Sequence, residues 1–164
     1  MRAAVFALAL TLAGAASASG PAGPKRIVTV GASVTEVVYA LGLGDRVVAV
    51  DTSSKFPAAT ARLPKVGYHR ALSAEGVLAM RPDLIVATDE AGPPPVIAQL
   101  RSSGVKLVVV NKEPTPEGAA RKIRAVAAAV GKKAAGDALV DAQAAAIARA
   151  RAASPDKAVR ALFI

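Results

Sequence analysis

No cysteine occurs among the 164 residues, which excludes disulfides, thiolate metal sites and a cysteine-linked lipid anchor. Tryptophan is absent too, aromatic residues make up 3 % of the chain, and His69 is the single histidine. With so few stacking side chains, the formal net charge of +9 is not read as a nucleic-acid surface, because such sites interleave Lys and Arg with aromatics. An anionic small ligand or an anionic membrane face suits the charge equally well. Enzyme signatures are also missing: no His-x-x-x-His, G-x-S-x-G or P-loop pattern occurs, and His69 has no acidic partner close by in sequence.

Long apolar runs are absent as well. Residues 1 to 20, MRAAVFALALTLAGAASASG, carry one charge at Arg2, an apolar stretch to about Ala13 and small residues at Ala16 and Ala18, the arrangement of an export signal. The stretch falls well short of the ~20 residues a bilayer core requires. Cleavage after Ala18 is expected, and export without a lipid anchor points to the periplasm. The mature chain is then long enough for one domain with a real core.

What is present is an alternation of short apolar strands and helices. RIVTV (Arg26 to Val30), RVVAV (Arg46 to Val50), LIVA (Leu84 to Ala87) and KLVVV (Lys106 to Val110) are near-continuous β-branched runs, as in parallel strands buried on both faces. Between them the pattern predicts a helix capped at Ser33 or Thr35 and running to Leu41, another from Ser73 to Met80 stopped by Pro82, and a third over Val96 to Ser102. Pro116 to Val130 reads as an amphipathic helix, and Lys132 to Ala153 as one long alanine-rich rod of ~33 Å at 1.5 Å per residue. The fold class expected is α/β: an open, mostly parallel sheet sandwiched by helices, followed by a long linking helix. Such a rod is expected to lead away from the lobe. Ala158 to Ile164 reads as a buried strand without partners, so the chain is expected to be the front part of a two-lobed protein. The divisions are an export signal at 1–18, an α/β lobe at 19–130, an inter-lobe helix at 131–154 and the start of a second lobe at 155–164.

Chemical specificity is concentrated between Leu63 and Asp83, LPKVGYHRALSAEGVLAMRPD. There a phenol, an imidazole and a guanidinium follow Gly67 in succession as Tyr68, His69 and Arg70. If the segment is extended, Tyr68 and Arg70 share a face and His69 takes the other, which favours an exposed or capping histidine. Ser33 and its neighbours, Thr52 and Ser53, and the loop from Asp89 to Pro94 follow strand ends, where open α/β sheets bind ligands. Tyr39, one turn after Thr35, reads as a packing residue.

The stretch VGYHRALSAEGVLAMRPDLIVAT, with RIVTVGASVTEVVYALGLGDRVVAVD before it and QLRSSGVKLVVV after it, resembles the periplasmic substrate-binding proteins of bacterial ABC importers in which one long helix joins two α/β lobes. RPDLIVA is common to vitamin B12, siderophore and haem binders. The Gly-Tyr-x-Arg segment is similar to the haem-binding branch. The resemblance implies Tyr68 as axial ligand of ferric haem iron, Arg70 as partner of the phenolate, and His69 as a secondary candidate. Chemically this is coherent: a hard ferric ion favours an anionic oxygen donor, and both the metal and a nearby guanidinium favour ionisation of a phenol that otherwise titrates near pH ~10.

Haem is an apolar plate with two carboxylates, so the rigid rim at Gly92, Pro93 and Pro94 would suit a ring face, and hydroxyls such as Ser33 or Arg and Lys side chains the carboxylates. Glu75 aligns with an acidic residue that, in the wider family, pairs with arginines of the membrane permease. The same residue also fits simple helix electrostatics, with Ser73 as N-cap and Glu75 in the first turn. The implied partners are haem as transported ligand, the inner-membrane permease and ATPase, and an outer-membrane haem receptor system, with no nucleic acid and no catalytic cofactor. A ferric siderophore or a corrinoid on the same scaffold is the alternative ligand, and a fragment lacking half of the cleft is the alternative state.

Overall fold

The computed structural model describes residues 23–154 and 160. The proposed export signal and nearly all of the strand expected over Ala158 to Ile164 lie outside the described residues. Four parallel strands form one sheet: β1 (Ile27–Val30), β2 (Val47–Val50), β5 (Leu84–Thr88) and β6 (Lys106–Val110), in the order β2-β1-β5-β6. A second, two-stranded antiparallel sheet pairs β3 (Gly67–Tyr68) with β4 (Ala71–Leu72). The helices are α1 (Ala32–Ala40), α2 (Ala74–Leu78), α3 (Pro94–Ser102), α4 (Pro116–Ala129) and α5 (Lys133–Ala152).

The central strands β1 and β5 are buried on both faces, which explains their unbroken apolar composition. Alternate side chains serve opposite layers. Ile27, Val50, Leu84 and Val86 pack with Val34 and Val38 of α1 and Val126 of α4, whereas Val28, Val30, Ile85 and Ala87 pack with Val77 of α2 and Leu100 of α3. Each Val, Leu or Ile among them, fully buried, is worth roughly 1.5–3 kcal/mol of transfer free energy. The expected sandwich is therefore the observed fold. Tyr39 packs beside the first of these layers, as its spacing predicted.

Local boundaries depart from the predicted ones for identifiable reasons. Gly31, at φ +107°, ends β1 so abruptly that α1 begins at Ala32, with neither Ser33 nor Thr35 as cap. The Thr35 hydroxyl turns inward instead, 2.7 Å from both Thr29 Oγ1 and Ser54 Oγ. Pro94 and Pro95 occupy the first turn of α3, where their missing N–H groups would be unpaired in any case.

After Gly131, at φ +75°, α5 runs back along α4. Gly136 lies against Ala127, Arg124 Nε donates to Asp137 Oδ1 at 2.9 Å, and Ile147 shares a groove with Pro116 and Glu117. The rod thus covers α4 before its last turn emerges with every residue exposed from Ala148 onward. No described helix is long and apolar enough to cross a membrane.

Candidate ligand cleft at the carboxyl edge of the sheet

Strand order determines where a cleft can open. From β1 the chain crosses by α1 to β2 on one side, and from β5 by α3 to β6 on the other. The loops leaving β1 and β5 therefore diverge between two adjacent strands, and that divergence is the place where open α/β sheets hold ligands. A depression of about 310 Å³ lies there, with Gly31, Ala32 and Ser33 on one side, Thr88 and Glu90 on the other, and Ser53, His69, Lys112 and Lys122 around it.

The floor beside the depression is a buried polar network centred on Asp51, which is 0 % exposed at the end of β2. Its carboxylate accepts from Gly31 N–H at 2.9 Å, Ser53 N–H at 3.0 Å, Ser53 Oγ at 2.5 Å and Ser54 Oγ at 2.6 Å. Burial alone would raise the pKa of this carboxyl. The Ser53 and Ser54 hydroxyls and the Gly31 and Ser53 amides outweigh it and hold Asp51 below the usual carboxylate range. Asp51 thereby ties the β1–α1 turn to the loop after β2.

The Tyr-His-Arg segment is a hairpin rather than an extended strand. Tyr68 pairs with Ala71 across β3 and β4, so His69 and Arg70 form the turn, entered through Gly67 at φ +100°. Two main-chain bonds fasten the hairpin to the loop after β5: Gly92 N–H donates to His69 O at 2.8 Å, and Leu72 N–H to Gly92 O at 2.9 Å. Gly92 is buried by this junction and Pro93 beside it is exposed.

The turn reverses the expected exposure of the histidine. His69 is only 13 % exposed and points inward, its Nδ1 3.5 Å from Asp51 Oδ2 without the alignment of a hydrogen bond. Tyr68 is the outward residue, 48 % exposed, with its ring centroid 4.3 Å from that of His69. An acidic partner for His69 does exist, 18 positions earlier in the chain, and only the fold brings it near.

Arg70 Nη2 donates to Glu90, and Lys112 Nζ holds the other carboxylate oxygen of Glu90 at 3.0 Å. These two cations, Lys112 foremost, keep the Glu90 carboxyl below its usual range. Glu90 is thus the hub of a charge cluster, not a solvated loop residue, and in this structure Arg70 pairs with Glu90 rather than with the Tyr68 phenol. Ser33 lies in the first turn of α1, where its hydroxyl accepts from Lys122 Nζ at 3.0 Å. Glu75 stands apart from this group, exposed in the first turn of α2 behind the Ser73 cap, and makes no ion pair among the described residues.

Tyr68, His69, Arg70, Ser33 and Gly92 are thus brought to one edge of the sheet. Asp51, Lys112 and Lys122 join them there without having been singled out in the sequence, as does Glu90 from the loop Asp89 to Pro94 that the sequence had marked as ligand-side. Asp51 was detectable as the acidic residue closing a buried strand. Nothing in the sequence couples Lys122 to Ser33, 89 positions away. Among the described residues no group of three or more His, Asp or Glu is placed to hold a metal ion.

The model of the family described as "Periplasmic binding protein" matches residues 27–164. The chain is 39% identical over 80 residues to the vitamin B12-binding protein of Vibrio cholerae, covering 49% of this chain and 29% of that protein. Among solved structures, the periplasmic haem-binding protein RhuT from Roseiflexus sp. RS-1 is 42% identical with a TM-score of 0.76, over 79% of this chain and 50% of that one. The periplasmic haem-binding protein HutB of Vibrio cholerae is 39% identical with a TM-score of 0.74, over 80% and 51%. The chain spans about half the length of these structures. With the family model covering the four-stranded sheet and every helix among the described residues, this chain belongs to the periplasmic binding protein family.

Proposed function

We propose that this chain is the haem-binding part of the substrate-binding component of an ABC importer, carrying haem to an inner-membrane permease. The observation that carries the reading is Tyr68: a phenol 48 % exposed on a hairpin bonded at two points to the neighbouring loop, at the sheet edge where such folds take ligands. A lone oxygen donor suits a ferric ion already held by a macrocycle. Arg70, in the same turn, is held by Glu90 in this structure, and in this reading leaves that partner to pair with the iron-bound oxygen of Tyr68. The similarity to proteins described as haem-binding supports the same ligand.

In this reading residues 1–18 direct export to the periplasm. Residues 19–130 form one binding lobe, 131–154 the linking helix and 155–164 the beginning of a second lobe. Glu75, exposed on α2, docks the permease, and haem arrives from an outer-membrane receptor system. The protein binds and delivers rather than turning over a substrate, in keeping with the family's substrate-binding character.

The test is a hemin titration followed through the Soret and phenolate-to-iron charge-transfer bands. Tyr68→Ala is expected to lose the charge-transfer band and at least ~tenfold in affinity, a difference of about 1.4 kcal/mol; unchanged bands and affinity would sink the assignment. The 39% identity to a vitamin B12-binding protein favours a corrinoid as second reading. Tight cyanocobalamin binding that survives Tyr68→Ala, with weak hemin binding, would select it.

A further inference from the structure

Two large apolar side chains stand exposed among the described residues, Tyr68 and Phe56. Tyr68 belongs to the candidate ligand site, whereas Phe56, 66 % exposed, has no part in it. Phe56 sits in the loop that leaves β2 at Asp51 and returns beside the end of the same strand. There Val50 N–H donates to Pro64 O at 3.1 Å, Val66 N–H to Val50 O at 3.0 Å and Thr52 N–H to Gly67 O at 2.9 Å. The excursion from Thr52 to Leu63 therefore stands on the carboxyl edge of the sheet, next to the hairpin that carries Tyr68.

The loop is held at several points. Ser54 and Thr60 are buried, the Ser54 hydroxyl bonds both Asp51 and Thr35, and Ala58–Arg62 forms a 3₁₀ helix. Lys65 Nζ closes the base by donating to Thr60 O at 2.8 Å. Phe56 is thus presented to solvent by a chain pinned on both sides of it.

Around the ring the loop offers small apolar residues and cations. Ala58, Ala59, Ala61 and Pro64 are exposed, as are Lys55, Arg62 and Lys65. No Asp or Glu occurs between Thr52 and Ala74, and none of these three cations makes an ion pair among the described residues. At ~2 Å per residue the 3₁₀ helix spans roughly 10 Å, so Lys55 and Arg62 bracket one small patch. The acids of the adjoining segments are already engaged, Asp51 by four donors and Glu90 by Arg70 and Lys112.

An exposed apolar residue alone marks nothing. Joined to unmatched cations it has a specific complement, a bilayer surface where an aromatic ring settles at headgroup depth and Lys and Arg reach anionic phosphates. An acidic protein would match the charges, but protein interfaces are depleted in Lys and Ala, the residues this loop presents. The net charge of +9 adds longer-range attraction to an anionic face.

We propose that the loop from Lys55 to Lys65 is a contact site for an anionic bilayer surface, with Phe56 seated among the headgroups and Lys55 and Arg62 on lipid phosphates. The assignment is independent of which ligand the cleft takes.

Because the chain has no tryptophan, Phe56→Trp places a single fluorophore at the contact. The chain without residues 1–18, the exported form in the reading above, is titrated with phosphatidylglycerol and with phosphatidylcholine vesicles. With the anionic vesicles alone, the emission of Phe56→Trp is expected to shift to the blue and to be quenched by brominated lipid. Lys133→Trp is expected to show neither change. It lies just past Gly131, which lines a groove with Asp83 and Leu84 where β5 begins, at the opposite edge of the sheet.

Lys55→Glu combined with Arg62→Glu is expected to weaken binding to the anionic vesicles at least ~tenfold, since each basic residue near such a surface contributes a several-fold change. Lys132→Glu with Lys133→Glu lowers the net charge equally and is expected to weaken it far less. Equal losses in the two double variants, or vesicle binding that leaves the Phe56→Trp emission unshifted, overturn the proposal. Binding of soluble polyglutamate that requires Lys55 and Arg62, without vesicle binding, overturns it in favour of an acidic protein partner. All four charge reversals are at exposed positions and are expected to keep the urea midpoint; should one unfold the chain, the Phe56→Trp emission decides alone.

Discussion

Asp51 illustrates how one buried side chain organises a cleft it does not enter. Four donors converge on it, so Asp51→Ala leaves several buried groups unpaired and is expected to cost roughly 2–4 kcal/mol, read as a fall in urea midpoint. A loss below about 0.5 kcal/mol would mean the network adds nothing. The pH dependence has a definite sign. The folded-state pKa lies below that of the unfolded chain, so the stabilisation is complete above about pH 4 and disappears as pH falls through the lower, folded value. Asp51→Asn should flatten that acid limb. At this scale Tyr68 and Arg70 were legible as a motif, but the orientation of His69 was not. Alternation along an extended strand put it outside; the two-residue turn after Tyr68 puts it inside, against the aspartate that follows β2.

Elements here are joined by close contacts that only small residues allow. A Cβ on Gly136 would lie 2.3 Å from the Ala127 Cβ, so α4 and α5 meet backbone to side chain. Gly136→Ala gains about 1 kcal/mol of helix propensity and incurs overpacking of roughly 1–3 kcal/mol. The expected outcome is a net loss of stability that Ala127→Gly, combined with it, partly restores; additive losses in the double variant would show that the two positions do not share the contact. The helices and the four main strands were readable from apolar periodicity and Gly/Pro punctuation. The β3–β4 hairpin was not, because two-residue strands carry no periodicity and it is fastened by bonds to Gly92, 20 and 23 positions further on.

For the molecule as a whole, a net charge of +9 acts before any contact forms. An anionic ligand is drawn toward a basic surface, and salt screens that attraction over a Debye length of ~10 Å at 0.1 M. Hemin association is therefore expected to slow by several-fold between ~0.02 and ~0.5 M salt, measured by stopped-flow, while an uncharged analogue of similar size changes little; a salt-independent hemin rate would contradict steering. The amino-acid sequence by itself determined the layer order, because buried parallel strands and amphipathic helices write their environment into composition, and it determined the cluster around Tyr68, because that chemistry is contiguous. Only the tertiary structure decided what surrounds the cluster. Asp51 under His69, Glu90 between Arg70 and Lys112, and Lys122 on Ser33 are partnerships among strand-end loops, the β3–β4 turn and two helices. The crossing of β1 and β5 to opposite sides creates them, and no local pattern of residues encodes that crossing.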